Sequence, residues 1–338
     1  MYGYRLNLLY IIKNQNSERA VHLEAEFRVI PIECKFGPTS AYAYYIDADE
    51  PALVDTGIAI SASQEIEATL KEYGKSFEDL KLILLTHGHV DHLGGAHAVW
   101  EKTNRQAKVV IPKKEAYLLK DRNKHIDDYL ALQGQFFDQE KQQQHINMLL
   151  SDIGNSIEDV IEVEEGSKIK LGNTTISVIE TPGHSFGSVT FIIENLKWAF
   201  VADAVQIFGG VKSGVPTIED PVAYRKTIKR LLDLRPARMY LGHHFRDAKG
   251  LITECFVEGE AVEDALQDSL LMDKKISSII KRSNVSDYVN DLTLGKYGSF
   301  TPVAEALGYT GDPTFLPCAF LVTVNGYKNE LHATGECI

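Results

Sequence analysis

The run Leu82-Ile83-Leu84-Leu85-Thr86-His87-Gly88-His89-Val90-Asp91-His92-Leu93-Gly94-Gly95 constrains this chain more than any other part of it. Its first four residues form a short apolar run of the kind that makes a buried strand. At Thr86 that run stops, and three histidines and an aspartate follow within six residues. Imidazole and carboxylate groups suit zinc and other borderline divalent metals. Gly88, Gly94 and Gly95 let the backbone bend sharply where ligands leaving a strand end must converge. A histidine-rich surface turn is the bland alternative, and it does not account for the buried strand in front of it.

Thr86-His87-Gly88-His89-Val90-Asp91-His92 resembles the Thr-His-x-His-x-Asp-His signature of the metallo-β-lactamase-fold hydrolases. That resemblance requires a further His, then a bridging Asp, then a last His, each at the end of a strand. Pro182-Gly183-His184-Ser185-Phe186-Gly187-Ser188 is similar to the family's Pro-Gly-His-[Ser/Thr]-x-Gly-Ser pattern and offers His184. The apolar run Trp198-Ala199-Phe200-Val201-Ala202 ends in Asp203. Ala237-Arg238-Met239-Tyr240-Leu241-Gly242-His243-His244 reads as a final strand with the family's Gly-His at its end, which favours His243. The adjacent His244 stays open as the ligand instead, as a proton donor, or as a neighbour without a role. The strand Ala52-Leu53-Val54 runs into Asp55-Thr56-Gly57, and the resemblance casts Asp55 as the group that orients a ligand histidine through its free ring nitrogen.

The resemblance covers about residues 27 to 248. It implies an α/β chain folded as a four-layer αββα sandwich, two β-sheets flanked by helices, with metals at one edge. His87, His89 and His184 would hold one ion, Asp91, His92 and His243 the second, and Asp203 would bridge them. Seven N and O ligands exceed what one four- or five-coordinate ion uses with a position left open. Two divalent ions follow, Zn²⁺ before Mn²⁺, Co²⁺ or Fe²⁺, all of which these donors suit. A water shared by two dications is acidified to a pKa of about 7 or below. Asp91 can orient the bridging hydroxide and then carry a proton to the leaving group. The implied activity is a dinuclear-metal hydrolase acting on a small ester, thioester or lactone, as in glyoxalase II-like and lactonase-like relatives. Histidine at position 89, where redox di-iron members carry an acid, argues for hydrolysis over electron transfer. A phosphodiesterase or nuclease of the same fold and a non-catalytic metal-binding regulator are the alternatives.

Around that frame the chain divides into a leader or peripheral strand over residues 1–26, the catalytic domain over 27–248, and a helical module over 249–338. A helical insertion interrupts the domain at about 113–158, with helical spacing at Tyr129, Leu132, Phe136 and Phe137, then at Ile146, Leu149, Leu150 and Ile153. His125, His145 and Gln142 to Gln144 read as its polar face. Its aromatics either pack on the core or line a substrate pocket. Beyond residue 248, Ile252, Phe256, Val262, Leu266, Leu270, Ile276 and Ile280 read as one apolar helical stripe. Shorter helices are expected over Asp287 to Leu294, Thr301 to Leu307 and Phe315 to Val324. This module is a lid, a partner-binding module or a surface for homodimer formation.

Charge and cysteine usage narrow the setting. With 47 acidic against 35 basic residues the net charge is −12, which weighs against a nucleic-acid partner and leaves a small-molecule substrate. Cys34, Cys255, Cys318 and Cys337 form no Cys-x-x-Cys pair and read as reduced thiols. No apolar run reaches the roughly 18 residues of a membrane span, and no signal-peptide cleavage site follows the N-terminus. A cytoplasmic protein without a membrane partner is the expectation.

Overall fold

A computed structural model describes residues 27–211, 214–283, 296–313 and 318–335 of this chain. Its first sheet runs β1 (Arg28–Phe36), β2 (Thr39–Asp47), β3 (Ala52–Val54), β4 (Leu82–Leu84), β5 (Lys108–Pro112) and β6 (Ile161–Val163), in that spatial order. The β1, β2 and β3 pairings are antiparallel, and those from β3 to β6 are parallel. The second sheet runs β7 (Lys168–Leu171), β8 (Thr174–Glu180), β9 (Val189–Ile193), β10 (Trp198–Ala202), β11 (Arg238–Leu241) and β12 (Phe256–Glu258). Only β10 and β11 pair in parallel there.

Successive side chains of a strand point to opposite faces, and both faces of the central strands β2 to β5 and β9 to β11 are largely buried. Ala52 and Val54, Leu82 and Leu84, and Val110 of the first sheet pack against Ile176, Val178, Phe191, Trp198 and Phe200 of the second. The intervening residues Leu53, Ile83, Val109 and Ile111 face Ile66 in the π-helical turn Ala62–Ile66, Leu70 of helix α1 (Glu67–Glu72), and Ala96 and Val99 of α3 (Ala96–Lys102). On the far side Ala199, Val201, Met239 and Leu241 face α7 (Pro221–Leu234) and α8 (Glu260–Arg282). The chain is thus a four-layer αββα sandwich. Between those outer helices come α2 (Val90–Leu93), the insertion helices α4 (Ala116–Lys120), α5 (Lys124–Gln133) and α6 (Gln139–Asp152), and, last in the chain, α9 (Thr301–Leu307) and α10 (Ala319–Thr334).

Beyond residue 248 the helices Glu260–Arg282, Thr301–Leu307 and Ala319–Thr334 form as expected, but the stretch before Gly259 departs from its helical reading. Phe256 and Val257 belong to β12, which pairs antiparallel with β11 and ends the second sheet, so Arg238–Leu241 is not the final strand. Ile252 sits in an isolated bridge with Arg246 and is exposed. Phe256 and Ile252 happen to share helical spacing with Val262 and Leu266, but Gly259, at φ 59°, breaks the register before the helix starts. The expected helix over Asp287 to Leu294, residues 315 to 317, Cys337 and residues 1–26 lie outside the described residues. Cys34, Cys255 and Cys318 are free and buried. Among the described residues no helix is long and apolar enough to cross a membrane.

The C-terminal helices are built onto the second sheet's helical layer. Asp273 of α8 accepts from the Arg225 guanidinium of α7 at 2.8 Å and from the Tyr327 hydroxyl of α10 at 2.7 Å. Arg225 also reaches Glu330. Helix α7 starts as its Asp220-Pro221 sequence requires, with the Asp220 carboxylate accepting from Val222 N at 2.9 Å and Ala223 N at 3.0 Å. Asp273→Ala is expected to lower unfolding stability by about 2–3 kcal/mol, less than a fully buried broken pair because Arg225 keeps Glu330 and some solvent. Asp220→Ala should cost about 1 kcal/mol. Urea denaturation of both variants checks the order; equal losses would contradict it.

Candidate metal centre

The motif that begins at the end of β4 is pinned from behind by Asp55. This residue sits at φ 57°, a costly conformation for a non-glycine residue, in the turn after β3. One of its oxygens accepts from Thr86 N at 2.8 Å, and the other accepts from the Thr86 hydroxyl at 2.8 Å and from His92 Nδ1 at 2.9 Å. The Thr86 oxygen in turn lies 3.0 Å from His87 Nδ1. Asp55 therefore orients His92 directly and His87 through one hydroxyl, and turns both Nε2 atoms into the cleft. Gly95 is required here, because a Cβ would lie 2.2 Å from the Thr56 carbonyl oxygen.

The other side chains arrive from the second sheet. His184 follows β8 and gives its Nδ1 proton to the Thr217 carbonyl at 2.8 Å. Asp203 follows β10, whose pairing with β11 shifts register between Phe200 and Ala202. Ala202 at φ 43° completes that bulge and re-aims the next residue into the cleft. His243 follows β11 and donates from Nδ1 to the Ser40 carbonyl at 2.6 Å. Gly242 before it cannot carry a side chain, since a Cβ would lie 1.9 Å from Asp203 Oδ1.

These residues gather into three overlapping groups, His87–His89–His184, His87–His92–Asp203 and Asp91–His92–His243, each compact enough to hold an ion. His184 Nε2 lies 3.3 Å from His87 Nε2 and 2.8 Å from His89 Nδ1. His243 Nε2 lies 3.4 Å from His92 Nε2 and 3.3 Å from Asp91 Oδ2. Asp203 Oδ2 stands between the groups, 3.3 Å from His184 Nε2 and 3.2 Å from His243 Nε2. Nitrogens on a tetrahedral zinc with Zn–N of about 2.0–2.1 Å sit roughly 3.3 Å apart, so this spacing fits a shared cation. The donor chemistry fits too. Four imidazoles have their far nitrogen committed to protein oxygen, which leaves bare lone pairs facing one another. Asp203 Oδ1 is buried without a hydrogen-bond partner.

The electrostatics follow from this crowding. Burial, then neighbouring imidazoles, drives His87 well below its ordinary pKa, and burial brings His184 down to about 3. Burial opposes charge on His243 as well, yet Asp203 and Asp91 raise it to about 10. Burial likewise works against Asp203, but His243, His184 and His92 hold its carboxyl well below the usual range. A site that draws positive charge onto buried histidines is a site that favours cations.

His244 lies outside all three groups. Its Nδ1 donates to the Thr253 carbonyl at 2.7 Å and its Nε2 accepts from the Tyr42 hydroxyl, so both nitrogens are engaged away from the cleft. His97, beyond the motif, pairs with Glu101 at 3.6 Å.

Three residues at the centre carry no sequence signal. Glu115, at the start of the insertion, accepts from Gly88 N, from Gly187 N at 2.7 Å and from the Ser185 hydroxyl at 2.7 Å. It clamps the first histidine loop to the His184 loop across the two sheets, and burial raises its pKa. Glu219 lies 3.4 Å from His89 Nε2, which aims Nδ1 into the cleft; burial opposes the charge, but Glu219 lifts His89 to about 9. Gln206 donates to the Asp203 carbonyl at 3.1 Å and accepts from Thr217 N at 3.1 Å. Glu115 and Glu219 are remote in sequence from the residues they serve, and no spacing rule could have paired them.

The centre opens into a cavity of about 530 Å³. Tyr117, Leu118 and Tyr129 of the insertion, and Tyr309, Cys318 and Val322 of the C-terminal module, share its wall with Asp91 and His243. Phe186, 70% exposed, stands among its lining residues. The insertion therefore both packs and lines: Phe136 and Phe137 are buried in the second sheet's outer core, while α5 faces the cavity. His125 is not on a solvated polar face as its composition suggested, because α5 turns it inward with Tyr129.

Residues 35–243 match the family model described as the metallo-beta-lactamase superfamily, and the chain belongs to that family. Among curated relatives it is 25% identical over 196 residues to a hydroxyacylglutathione hydrolase of Chelativorans sp. (strain BNC1), covering 57% of this chain and 60% of that protein. It is 20% identical over 229 residues to a beta-lactamase-like protein 2 homolog of Caenorhabditis elegans, covering 68% of this chain and 61% of that one. The chain thus spans about three-fifths of the length of these relatives. Its fold is similar to that of a metallo-beta-lactamase family protein from Thermus thermophilus, with a TM-score of 0.66 at 18% identity over 93% of this chain and 95% of the other. A beta-lactamase domain protein from Burkholderia ambifaria gives a TM-score of 0.63 at 14% identity, over 92% and 88% of the two chains.

His243→Ala is expected to lose metal, measured by elemental analysis after metal-replete purification, whereas His244→Ala keeps it near the wild-type level. His244→Ala should instead cost about 1–3 kcal/mol of stability, because the Tyr42 hydroxyl loses its acceptor. The reverse pattern of metal loss would transfer the ligand role to His244.

Proposed function

We propose that this chain is a dinuclear metal-dependent hydrolase of a small carbonyl substrate, an ester, thioester or lactone. The observation that carries the reading is Asp203, whose Oδ2 lies 3.3 Å from a histidine of one group and 3.2 Å from a histidine of the other. His87, His89 and His184 would hold one ion, Asp91, His92 and His243 the other, and Asp203 both. Two divalent ions bound there supply Lewis acidity toward a carbonyl oxygen and acidify a water to near neutrality. Zn²⁺ matches the nitrogen-rich donor set first, with Mn²⁺ and Fe²⁺ also accommodated.

The chain's own residues then have definite tasks. Asp91 lies at the cavity wall with Oδ2 directed toward His243, at 3.3 Å. It orients the attacking water, takes a proton from it and passes that proton to the leaving group. Asp55, Glu219 and the Ser40 and Thr217 carbonyls fix the imidazoles so that no reorganisation is needed as charge develops. The aromatic and aliphatic wall excludes bulk water and holds the substrate against the centre. Names among the curated relatives, including a hydroxyacylglutathione hydrolase, support carbonyl over phosphoryl chemistry.

Metal-replete protein should contain two ions per chain, and Asp203→Ala should impair retention of both. A panel of esters, thioesters, lactones and phosphodiesters should show turnover of carbonyl substrates that falls by at least about 10²-fold in Asp91→Asn. One ion per chain would sink the dinuclear reading. Turnover confined to phosphodiesters would move the protein to the nuclease class, and no turnover of any substrate would favour a regulator.

A further inference from the structure

Helix α5 buries an unusual face. The residues it buries are His125, Tyr129 and Gln133, spaced at i, i+4 and i+8 and so aligned along one side. Its apolar Ile126 and Leu130 are only partly buried. Polar groups taken out of water normally keep a hydrogen-bond partner. Gln133 does: its Oε1 accepts from Cys318 N at 2.9 Å, which joins the insertion to the C-terminal module. His125 and Tyr129 do not. His125 Nε2 and the Tyr129 hydroxyl are both buried with no partner, although each residue is only 7% exposed and both line the cavity that contains the metal centre.

The geometry points to a substrate subsite: we propose that His125 Nε2 and the Tyr129 hydroxyl bind an uncharged hydroxyl- or carboxamide-bearing part of the substrate whose carbonyl is cleaved at the metal centre. The proposal rests on the hydrolase reading above and names the far end of that substrate. With the ring proton placed on Nδ1, toward the Leu118 backbone, the unpartnered Nε2 presents a lone pair. Burial, with His89 the next influence, brings this imidazole down to about 4, and it stays neutral at pH 7. An acceptor at His125 and a donor at Tyr129 match a group that both donates and accepts.

The same wall argues against an anionic tail. Asp128, Asp312, Glu115 and Glu219 line the cavity, and no Lys or Arg occurs among the described residues that do. A carboxylate or phosphate tail would meet acidic side chains and a bare imidazole lone pair. The tripeptide of a glutathione thioester carries carboxylates, so that substrate fits this wall poorly, whatever the relatives hydrolyse.

The test uses three matched thioesters of N-acetylcysteamine: butyryl, 3-hydroxybutyryl and succinyl. Their acyl tails end in a methyl, a hydroxyl-bearing and a carboxylate-bearing group. Metal-loaded wild-type protein should favour the hydroxylated tail over the methyl tail by at least about tenfold in kcat/KM, and should use the succinyl ester least. Tyr129→Phe, which keeps the ring, and His125→Leu should each flatten the hydroxyl-to-methyl ratio toward one while metal content stays at the wild-type level. Calorimetric titration with the corresponding non-hydrolysable thioethers should rank in the same order. Ranked binding without turnover would overturn the hydrolase reading and leave the subsite standing. Turnover in which neither variant changes the ratio, or a preference for succinyl, would overturn the subsite and leave the hydrolase standing.

Discussion

Asp203 is the group on which the centre depends. It is a buried carboxylate with one oxygen lacking any hydrogen-bond donor and the other set between histidines of two clusters. A charge held this way is costly unless something positive compensates it. Protons on His243 can do so in part, which is why that imidazole is pushed up to about 10 against the effect of its own burial. Divalent ions would do so better, because they would satisfy the bare nitrogens and the carboxylate together. The β10 bulge, the strained Ala202 and the side-chain-free Gly242 all serve to place this one carboxylate.

Around it, two carboxylates organise the loops from behind. Asp55 aligns His92 and, through Thr86, His87, so one side chain orients two of the first sheet's histidines. Glu115 binds Gly88, Ser185 and Gly187 together, coupling that loop to the one from the second sheet. The sandwich alone would leave these loops at the edges of two separate sheets. Precision at the centre comes from buried side-chain-to-backbone bonds rather than from regular structure, and this is the means by which loops hold geometry as strictly as strands do.

The fold was legible because the strand-end motif resembles that of a family built as a two-sheet sandwich, and the short apolar strands on either side agree with buried sheets. The misreadings have local causes. Phe256 and Ile252 fell on a helical period by coincidence, and the demand of β11 for an antiparallel neighbour overrode it. Composition places His125 on a polar helix face, yet α5 faces a cavity and turns that side inward. Helical periodicity says which residues share a face; it says nothing about what that face meets.

The sequence by itself determined the family, the layered α/β fold and the residues that meet at the centre. Strand-end His and Asp residues carry their chemistry in their identities, and the apolar strands that deliver them are local signals. It also pointed to Asp55. Only the tertiary structure decided between His243 and His244 as neighbours of Asp203, because successive residues at a strand end diverge and the packing of Tyr42 draws one of them away. It alone revealed Glu115, Glu219 and Gln206, and it alone set His125 and Tyr129 unpartnered in the cavity wall. The contacts of Glu115 and Glu219 join segments that are remote in sequence, and the energies of all these groups depend on burial and distance, which exist only once the chain has folded.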